Sequence, residues 1–363
     1  MRIRKQNVGR ILKVTVFLAV LFLLFLFFTY LMRNTDYNGR QNILNFYEEG
    51  TELDVVFVGA SSIYRYWDPM VAWEAEGIAT ANYSVSSMHL ATYLSGIKDI
   101  LRTQKPELIV LEVRKFCRAS GEDPGISAGA RNMLDSLDFG ISRMEAVHYY
   151  CEKMDLSWEE ALSLYLDLIQ YHDNYEALTT KLNWQLADNR TGTDEIEKQT
   201  YKGYAISSDH TAYEDPSSNL SEEKKNPNAN SLMLYEEILE YCQENEIQIL
   251  PIVVPMVITE EESMEINALK DLTESQGVPF LDMNLYYDEM EIDFSMDFYD
   301  PHHVNILGAD KMTAYLAEYI AEEYDLEDHR NDPAYVSWNQ LYEEYSAKAE
   351  KARAEVREKA KTE

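Results

Sequence analysis

Basic side chains are scarce in this chain of 363 residues, which has 32 Lys and Arg against 64 Asp and Glu. Five of the basic side chains lie within the first 13 residues, where no acid occurs, so the remainder is strongly acidic. Binding to nucleic acid requires a basic surface, and this balance therefore argues against nucleic acid as a partner. Such an acidic excess is typical of a solvated surface and says nothing about the fold.

Cysteine is also rare, and Cys117, Cys151 and Cys242 lie far apart in the sequence. They lack the paired CxxC spacing of zinc sites, and an odd number leaves at least one thiol over even if one bridge forms. We interpret them mainly as small buried hydrophobic residues. The scattered histidines also lack the spacing of metal ligands, so we expect no metal and no cofactor.

Charge is absent from residues 14–32, a run of 19 mostly Val, Leu and Phe residues. As a helix this run would be about 30 Å long, which matches the hydrocarbon thickness of a bilayer. The basic residues before it predict a single-pass protein of the cell membrane, with a cytoplasmic tail at 1–13, an anchor at 14–32 and an extracytoplasmic remainder. A cleaved signal peptide is the alternative, but its apolar core usually has only ~7–15 residues and a small-x-small cleavage site. The polar residues 33–52 predict a short stalk.

Short apolar runs alternate with helical patterns after the stalk. Runs of this kind predict buried parallel strands, and they lie at residues 53–59, 79–85, 108–113, 248–254 and 278–281. Helical patterns lie at residues 90–103, 232–245 and 263–276. This alternation predicts an α/β fold with a mainly parallel sheet, in one domain that covers residues 53–326.

Two stretches fall outside this alternation. Residues 114–231 are far longer than the usual ~2–6 residues of a loop in such a fold, and they include a helical pattern at 157–170. We interpret them as a helical insertion that forms a cap with a flexible part. Residues 327–363 predict a charged C-terminal helix, rich in Ala, Glu and Lys, that is solvated or self-associating.

The segment VFVGASSIYRYWDP, residues 56–69, has a serine pair where a predicted strand ends and a helix begins. Small residues allow a sharp turn there, and the first turn of a helix presents amide groups to developing negative charge. Ser61 is therefore a candidate nucleophile whose own amide helps to form an oxyanion hole. The alternative is that Ser61 or Ser62 caps the helix, because Gly-x-Ser segments are common.

A second segment, MDFYDPHHVNILG at residues 296–308, has Asp300 three residues before His303 on a proline-containing turn. Histidine suits proton transfer at neutral pH, since its ordinary pKa is about 6.5. A triad also needs a carboxylate that holds this base in the correct tautomer, and a short Asp-x-x-His turn supplies both groups. His302 is the competing base. The other interpretation is a structural Asp cap beside two surface histidines.

Together these two segments resemble the first and last signature blocks of the SGNH/GDSL hydrolases. The resemblance covers about residues 50–325 and implies a flavodoxin-like three-layer α/β/α fold. It also implies Ser61 as nucleophile, His303 as base and Asp300 as the carboxylate that orients this base. The expected enzyme is a serine esterase or acyltransferase.

The chain departs from this family at the two inner blocks, which normally supply a glycine and an asparagine to the oxyanion hole. Ser84 stands at the glycine position and is expected to offer its backbone amide. No asparagine follows the third strand, so Arg114 or a residue of the insertion is expected to complete the hole. Loss of one oxyanion donor typically costs about 10²–10³ in rate.

The segments GASSIYRYWDP and DPHHVNILG look closest to the membrane-anchored branch of the family that serves the bacterial cell envelope. That branch includes proteins related to D-alanyl-lipoteichoic acid transfer and exopolysaccharide O-acetylation, and YKGYAISSD at residues 201–209 resembles a segment that recurs in it. The resemblance implies an acylated envelope polysaccharide or a teichoic-acid-like polymer as substrate. A membrane-bound O-acyltransferase is a candidate partner.

Two other functions stay open at the level of sequence. The missing asparagine favours a non-catalytic chaperone or acceptor-binding subunit of an acyl-transfer complex, and the charged C-terminal helix is compatible with a structural surface protein. Aromatic residues just beyond the candidate nucleophile, Tyr64, Tyr66 and Trp67, are able to stack on sugar rings, although aromatic side chains more often pack a core.

Overall fold

Five parallel strands form the central sheet in the computed structural model, which describes residues 2–32, 40–118, 125–173 and 201–362. The strands are β1 (Val55–Gly59), β2 (Thr80–Ser84), β3 (Leu108–Glu112), β4 (Ile249–Val253) and β5 (Leu281–Asp282). Their order across the sheet is β2-β1-β3-β4-β5. Every residue of these strands is buried. This burial explains why the strands appear in the sequence as nearly continuous apolar runs.

The helices of the described residues lie mostly between these strands. In chain order they are α1 (Arg2–Met32), α2 (Arg40–Tyr47), α3 (Ser61–Tyr66), α4 (Pro69–Glu76), α5 (Tyr93–Thr103), α6 (Arg114–Arg118), α7 (Ala128–Leu134), α8 (Ile141–Lys153), α9 (Trp158–Tyr165), α10 (Asp167–Tyr171), α11 (Ala229–Glu244), α12 (Glu260–Ser275), α13 (Ile306–Glu323) and α14 (Val336–Lys359). Short 3-10 turns lie at Leu90–Thr92, Ser217–Asn219, Met283–Tyr286 and Pro333–Tyr335. The predicted α/β fold with a mainly parallel sheet is confirmed.

A small antiparallel hairpin stands apart from the main sheet, formed by β6 (Phe298–Asp300) and β7 (His303–Val304). It leads directly into α13. Asn305 caps this helix, since its side chain accepts a hydrogen bond from the Leu307 amide at 3.0 Å. The strand register sets Gly59 of β1 beside Ser84 of β2. Because the strands are parallel, the carboxyl ends of β1, β2 and β3 meet at one edge of the sheet.

Among the residues that the structure describes, one helix is long and apolar enough to cross a membrane. This helix is α1, and its candidate span covers Val8–Thr29. The span starts before the predicted anchor at 14–32 because Val8, Ile11 and Leu12 extend the apolar surface of the helix toward its N-terminus. Nearly all side chains of this span are exposed, as expected for a surface that lipid would cover.

The second half of the predicted stalk packs on the domain. Ile43 and Phe46 of α2 are buried, and the Phe46 ring meets the Tyr83 ring of β2 edge-on at 5.1 Å. These two residues lie three positions apart and therefore share one face of the helix. Residues 33–39, the first half of the stalk, lie outside the described residues.

The C-terminal helix is part of the packed domain, which corrects the expectation of a solvated or self-associating helix. α14 lies against α4 and α13. Its buried side chains lie on one face, and they are Trp338, Tyr345, Ala349, Ala352 and Val356. The Trp338 ring is 5.1 Å from the Trp73 ring of α4. The charged composition of the helix obscures this narrow apolar stripe in the sequence, because only five of its 24 residues take part in it.

The long connection between β3 and β4 contains helices α6 to α10 in its first part. The helical pattern predicted at 157–170 corresponds to two helices, α9 and α10, that meet at Leu166. Residues 119–124 and 174–200 of the predicted insertion lie outside the described part of the chain. The described residues from 201 onward return to the edge of the sheet beside β2.

The three cysteines are free thiols. Cys117 and Cys242 are buried, in agreement with their interpretation as small hydrophobic residues, and Cys151 is half-buried. Burial raises the pKa of Cys242 to about 12, so this thiol is unreactive as a nucleophile at neutral pH.

Candidate active site

Ser61 lies at the point where β1 ends and α3 begins, at the carboxyl edge of the sheet. The turn requires a glycine at position 59. A Cβ atom there would lie 2.6 Å from Cγ1 of Ile63 and 3.1 Å from Cβ of Glu112. The close approach of α3 to β3 therefore depends on Gly59. Ser61 itself is half-buried, so its hydroxyl is positioned by the fold and still reachable.

Asp300 and His303 face each other across the hairpin of β6 and β7. The Asp300 carboxylate accepts a hydrogen bond from the His302 amide at 2.8 Å, which tightens the turn. The Pro301 carbonyl accepts a second bond from the Val257 amide at 3.0 Å. These bonds hold the Asp-x-x-His turn in one conformation and attach it to the chain that follows β4.

The structure brings the three predicted catalytic residues into one hydrogen-bonded chain. Ser61 Oγ is 2.8 Å from Nε2 of His303, across 242 positions of sequence. Nδ1 of the same imidazole is 2.8 Å and 3.0 Å from the two carboxylate oxygens of Asp300. A proton on Nδ1 is held by the carboxylate, so Nε2 is left to accept the serine proton. This is the geometry of a nucleophile, a general base and an orienting carboxylate.

The carboxyl group of Asp300 stays ionised in this arrangement. Burial by itself would raise the pKa of Asp300, but hydrogen bonds from His303 and from the His302 amide outweigh burial and lower it below the ordinary value. The side chain is 38% exposed, which limits the cost of keeping the charge. A permanent anion beside an imidazole stabilises the protonated form of a histidine that acts as a general base.

His302, the competing base, takes another part in the site. The hydrogen bond to Ser61 comes from His303, while the backbone of His302 holds the turn. Its amide donates to Asp300, and its carbonyl accepts a bond from the Arg114 guanidinium at 2.9 Å. The spacing in the sequence favoured His303 over its neighbour, and the hairpin register explains why, since Asp300 pairs with His303.

Arg114 and Glu112, at the end of β3, connect the serine side of the site to the histidine side. The Glu112 carboxylate accepts hydrogen bonds from the Ser62 hydroxyl at 2.6 Å and from the Arg114 amide at 3.0 Å. The Arg114 side chain is almost buried and reaches the carbonyl of His302. Arg114 was predicted as an oxyanion donor. The observed guanidinium contact holds the turn that carries the base, and the role of Arg114 as an oxyanion donor stays a prediction.

Ser84 lies beside Gly59 in the sheet register, one strand away from the nucleophile. The residue is fully buried, and its hydroxyl has no hydrogen-bond partner among the described residues. Its carbonyl accepts a long bond of 3.4 Å from the Asn42 side chain. Ser84 is therefore at the predicted edge of the site, and its role as an amide donor to an oxyanion stays a prediction.

A stack of side chains that the sequence did not single out supports the base. The Tyr299 ring lies parallel to the His303 imidazole with centroids 5.6 Å apart. The Arg65 guanidinium lies 6.0 Å from the centroid of the Tyr299 ring. Burial raises the pKa of Tyr299 to about 12, so the phenol is neutral at physiological pH. The sequence offered one signal for these two residues. Tyr299 lies next to Asp300, and Arg65 lies one helical turn after Ser61.

The segment at 201–213 joins the serine helix to the histidine hairpin. The Ala205 amide donates to the Tyr64 carbonyl of α3 at 2.8 Å, and Arg65 donates to the Ala205 carbonyl at 3.0 Å. Further along, the Thr211 amide donates to the Phe298 carbonyl of β6 at 2.9 Å. Residues 201–209 therefore contact the helix that begins at Ser61, and the chain just after them contacts the hairpin that carries His303.

The aromatic residues considered for stacking on sugar rings are buried. Tyr66 and Trp67 have no exposed surface, and Tyr64 is 6% exposed. The Trp67 ring stacks on the Phe57 ring at 3.9 Å and donates to the Thr80 hydroxyl at 2.9 Å. These three side chains are part of the core, which is the more common role of aromatic residues, and they are not exposed to stack on sugar rings.

A cavity of about 330 Å³ lies away from this site, between α2, the edge of β2 and the start of α14. Its lining includes Asn42, Asn82 and the ion pair of Lys202 with Glu49. None of the three triad residues lines it. The chemistry of the triad therefore identifies the candidate active site better than the size of the cavity does.

No family model matches this chain, and no curated protein matches its sequence. Among the described residues, no group of three or more His, Cys, Asp or Glu side chains is arranged to hold a metal ion.

Proposed function

We propose that the protein is a serine esterase or O-acyltransferase that uses Ser61, His303 and Asp300. The observation that carries this proposal is the continuous hydrogen-bonded chain from the serine hydroxyl through the imidazole to an ionised carboxylate. Ser61 Oγ attacks an acyl carbonyl while His303 takes the serine proton. The imidazolium then gives this proton to the leaving group, and Asp300 stabilises the imidazolium.

The resulting acyl-enzyme is resolved by a second nucleophile. With water, the products are a free acid and the original serine, so the enzyme is an esterase. With a hydroxyl group of a polymer, the acyl group is transferred and a new ester forms. Both routes share the first half of the reaction, because His303 deprotonates water or the acceptor hydroxyl in the same position.

We also propose that the chain is an SGNH-type hydrolase with a flavodoxin-like three-layer fold. Support comes from the strand order β2-β1-β3-β4-β5, from the serine directly after β1 and from the Asp-x-x-His hairpin before α13. The backbone amides of Ser61 and Ser84 are the proposed donors to the oxyanion. With only these two oxyanion donors, we expect a lower reaction rate than in an enzyme with a complete oxyanion hole.

The proposed location is the outer face of the cell membrane, with α1 as an uncleaved anchor and the N-terminus in the cytoplasm. The basic residues before the span support this orientation. The proposed substrate is an acylated polysaccharide or a teichoic-acid-like polymer of the cell envelope, with a membrane-bound O-acyltransferase as the partner that supplies acyl groups. A membrane anchor supports this choice because it keeps the site close to membrane-bound donors.

A non-catalytic scaffold is the other function that the sequence left open. A scaffold has no need for a serine aligned with a histidine and an ionised carboxylate, so the observed alignment favours catalysis. Replacement of His303 by Ala distinguishes the two. We expect envelope acylation to stop at normal protein levels, whereas unchanged acylation would support the scaffold.

Labelling with a fluorophosphonate probe tests the nucleophile directly. We expect the wild-type chain to be labelled and Ser61→Ala to be unlabelled at equal concentration, because the probe reacts with an activated serine. Ser295→Ala is the matched control. Ser295 is exposed and its hydroxyl donates to Asp293, so this variant should be labelled like the wild type. Labelling that persists in Ser61→Ala would refute the assignment.

A further inference from the structure

Exposed apolar side chains are concentrated in one part of the insertion. Outside α1, eight large apolar side chains are exposed among the described residues. Five of the eight lie between positions 139 and 169, and they are Phe139 (49% exposed), Ile141 (76%), Met144 (45%), Trp158 (67%) and Ile169 (43%). Single exposed apolar residues are ordinary, but a concentration of this kind indicates a surface that binds something.

Four of these side chains lie on segments that meet at one junction, at or just before the start of α8 and in α10, and we call them the apolar patch: Phe139, Ile141, Met144 and Ile169. At the junction the buried Arg143 donates to the Asp135 carboxylate at 3.1 Å and to the Leu164 carbonyl at 3.2 Å. The hydroxyl of Tyr171 donates to the same carboxylate. These bonds tie the start of α8 to the end of α9 and to α10. The patch is therefore held in place by buried ionic contacts.

The same junction lies beside the membrane helix, because α10 contacts α1. The contact lies at the C-terminal end of the span. Thr29 is 4% exposed and two residues shortly before it, Phe25 and Leu26, are half-buried, while side chains from Val8 to Leu24 are exposed. Since Thr29 is the last residue of the span, α10 lies at the level where α1 leaves the bilayer.

We infer that the apolar patch inserts into the outer interface of the same bilayer that α1 crosses. This inference rests on the membrane anchor of the proposed function. An interfacial segment places its apolar side chains roughly 5–10 Å below the headgroups, and the contact of α10 with α1 sets the patch at this level. Because α1 tethers the domain, the local lipid concentration is high and a small patch is sufficient.

The charges around the patch define the lipid that it prefers. Asp138 and Glu145 are exposed on both sides of Ile141, and Glu145 pairs with Arg102 at 2.5 Å. The positive charge of Arg143 is buried and already paired with Asp135. These pairs leave no excess positive charge beside the patch to attract anionic headgroups, so the patch fits a zwitterionic lipid surface. Insertion would hold the acyl-transfer domain in one orientation above the membrane.

Depth-dependent quenching on the full chain in vesicles tests the inference. Ile141→Cys is made in a Cys151→Ser background, since Cys117 and Cys242 are buried, and it carries a nitrobenzoxadiazole label. Leu285→Cys, 48% exposed near the opposite edge of the sheet, is the matched control. Phosphatidylcholine vesicles with brominated acyl chains supply the quencher. We expect quenching at position 141 to exceed that at position 285 at least threefold.

Two further arms make the result decisive. Replacement of Phe139 and Met144 by Ser should reduce the quenching of a label at Ile169→Cys, and phosphatidylglycerol should weaken it. Equal, weak quenching at positions 141 and 285 would overturn the inference and assign the patch to a protein partner. Flotation of the wild-type chain with the vesicles checks the anchor, and fluorophosphonate labelling checks the enzyme, so each failure is recognised separately.

Discussion

Asp300 in the hairpin of β6 and β7 and Asp68 just before α4 are both aspartates, but their pKa values are shifted in opposite directions. The Asp68 carboxylate accepts bonds from the Met70 amide at 2.9 Å and from the Tyr345 hydroxyl of α14. Burial raises the pKa of Asp68 to about 7 despite these bonds. The Asp300 pKa is lowered, because a histidine partner and partial exposure to water offset burial.

The two carboxyl groups have different roles in the same domain. Asp300 remains an anion at neutral pH and supports the charge that develops on His303. Asp68 joins α4 to the C-terminal helix, where a fully buried anion is costly. Arg353 of α14 also holds this helix on the domain, because it pairs with Asp310 of α13 at 2.7 Å. We therefore expect changes in the hairpin to alter the reaction rate, and changes in the contacts of α14 with α4 and α13 to alter the stability of the fold.

The largest effect is expected from Asp300→Asn. An amide cannot hold the imidazole in the tautomer that accepts the serine proton, and in comparable triads this loss is about 10⁴-fold in rate. The rate of fluorophosphonate labelling measures the loss. Asp68→Asn is the matched control and should label at nearly the wild-type rate. If both variants lose rate equally, the division between the two regions is incorrect.

A smaller effect on rate is expected from Arg114→Ala. Without the bond from Arg114 to the His302 carbonyl, the hairpin can shift, and a displacement of about 1 Å can cost roughly 10²-fold. We expect labelling to slow by about 10–100-fold, with partial recovery in Arg114→Lys. Arg353→Ala removes a partly buried arginine from the contact between α13 and α14, and it should lower Tm without slowing the labelling. Unchanged labelling in Arg114→Ala would show that the hairpin holds its position without this contact.

The smallest effect on labelling rate is expected from Asp68→Asn, which should act on the pH dependence of stability. Because the folded pKa of Asp68 is raised to about 7, this group stabilises the fold most below pH ~4, and the contribution is lost as pH rises toward 7. At ~1.4 kcal/mol per pKa unit, the change is on the order of 3–4 kcal/mol. Asp68→Asn should flatten the decline of Tm between pH 4.5 and 7.5.

The exposed Asp288 provides the control for this measurement. Asp288→Asn makes the same chemical change at the surface and should leave the slope of Tm against pH as in the wild type. An unchanged slope in Asp68→Asn would mean that other buried acids, such as Asp310 with its raised pKa, dominate the pH dependence.

Much of the fold was predictable because buried parallel strands leave a clear trace. β1 and β3 are runs of apolar residues bounded by polar ones, and each strand of the five-stranded sheet overlaps its prediction, whereas the short strands β6 and β7 were not predicted. The C-terminal helix was misjudged for the opposite reason. Only Trp338, Tyr345 and three smaller residues face the core, and the charged residues between them obscure this pattern. Its partners Trp73 and Asp68 lie more than 250 positions earlier.

The residues of the site also fall into two groups, those recognised from local sequence and those found only from contacts between distant positions. Ser61 and the Asp300–His303 pair were identified from local spacing, since a strand-to-helix turn and an Asp-x-x-His turn are short-range features. Arg114 was singled out from the sequence, but its contact with the His302 carbonyl was not predicted, because this contact joins positions 188 apart. Glu112 gave no signal, since a carboxylate at the end of a strand looks like an ordinary surface residue until Ser62 is found beside it.

The sequence alone determined the alternation of strands and helices, the apolar span and the two segments that carry the triad. Periodicity and turn chemistry act over a few residues, so they can be recognised without coordinates. Only the tertiary structure decided that Ser61 and His303 lie 2.8 Å apart, that α14 packs on the domain and that α10 contacts α1. Those features depend on which distant segments pack together, and packing is settled by shape and burial across the whole domain.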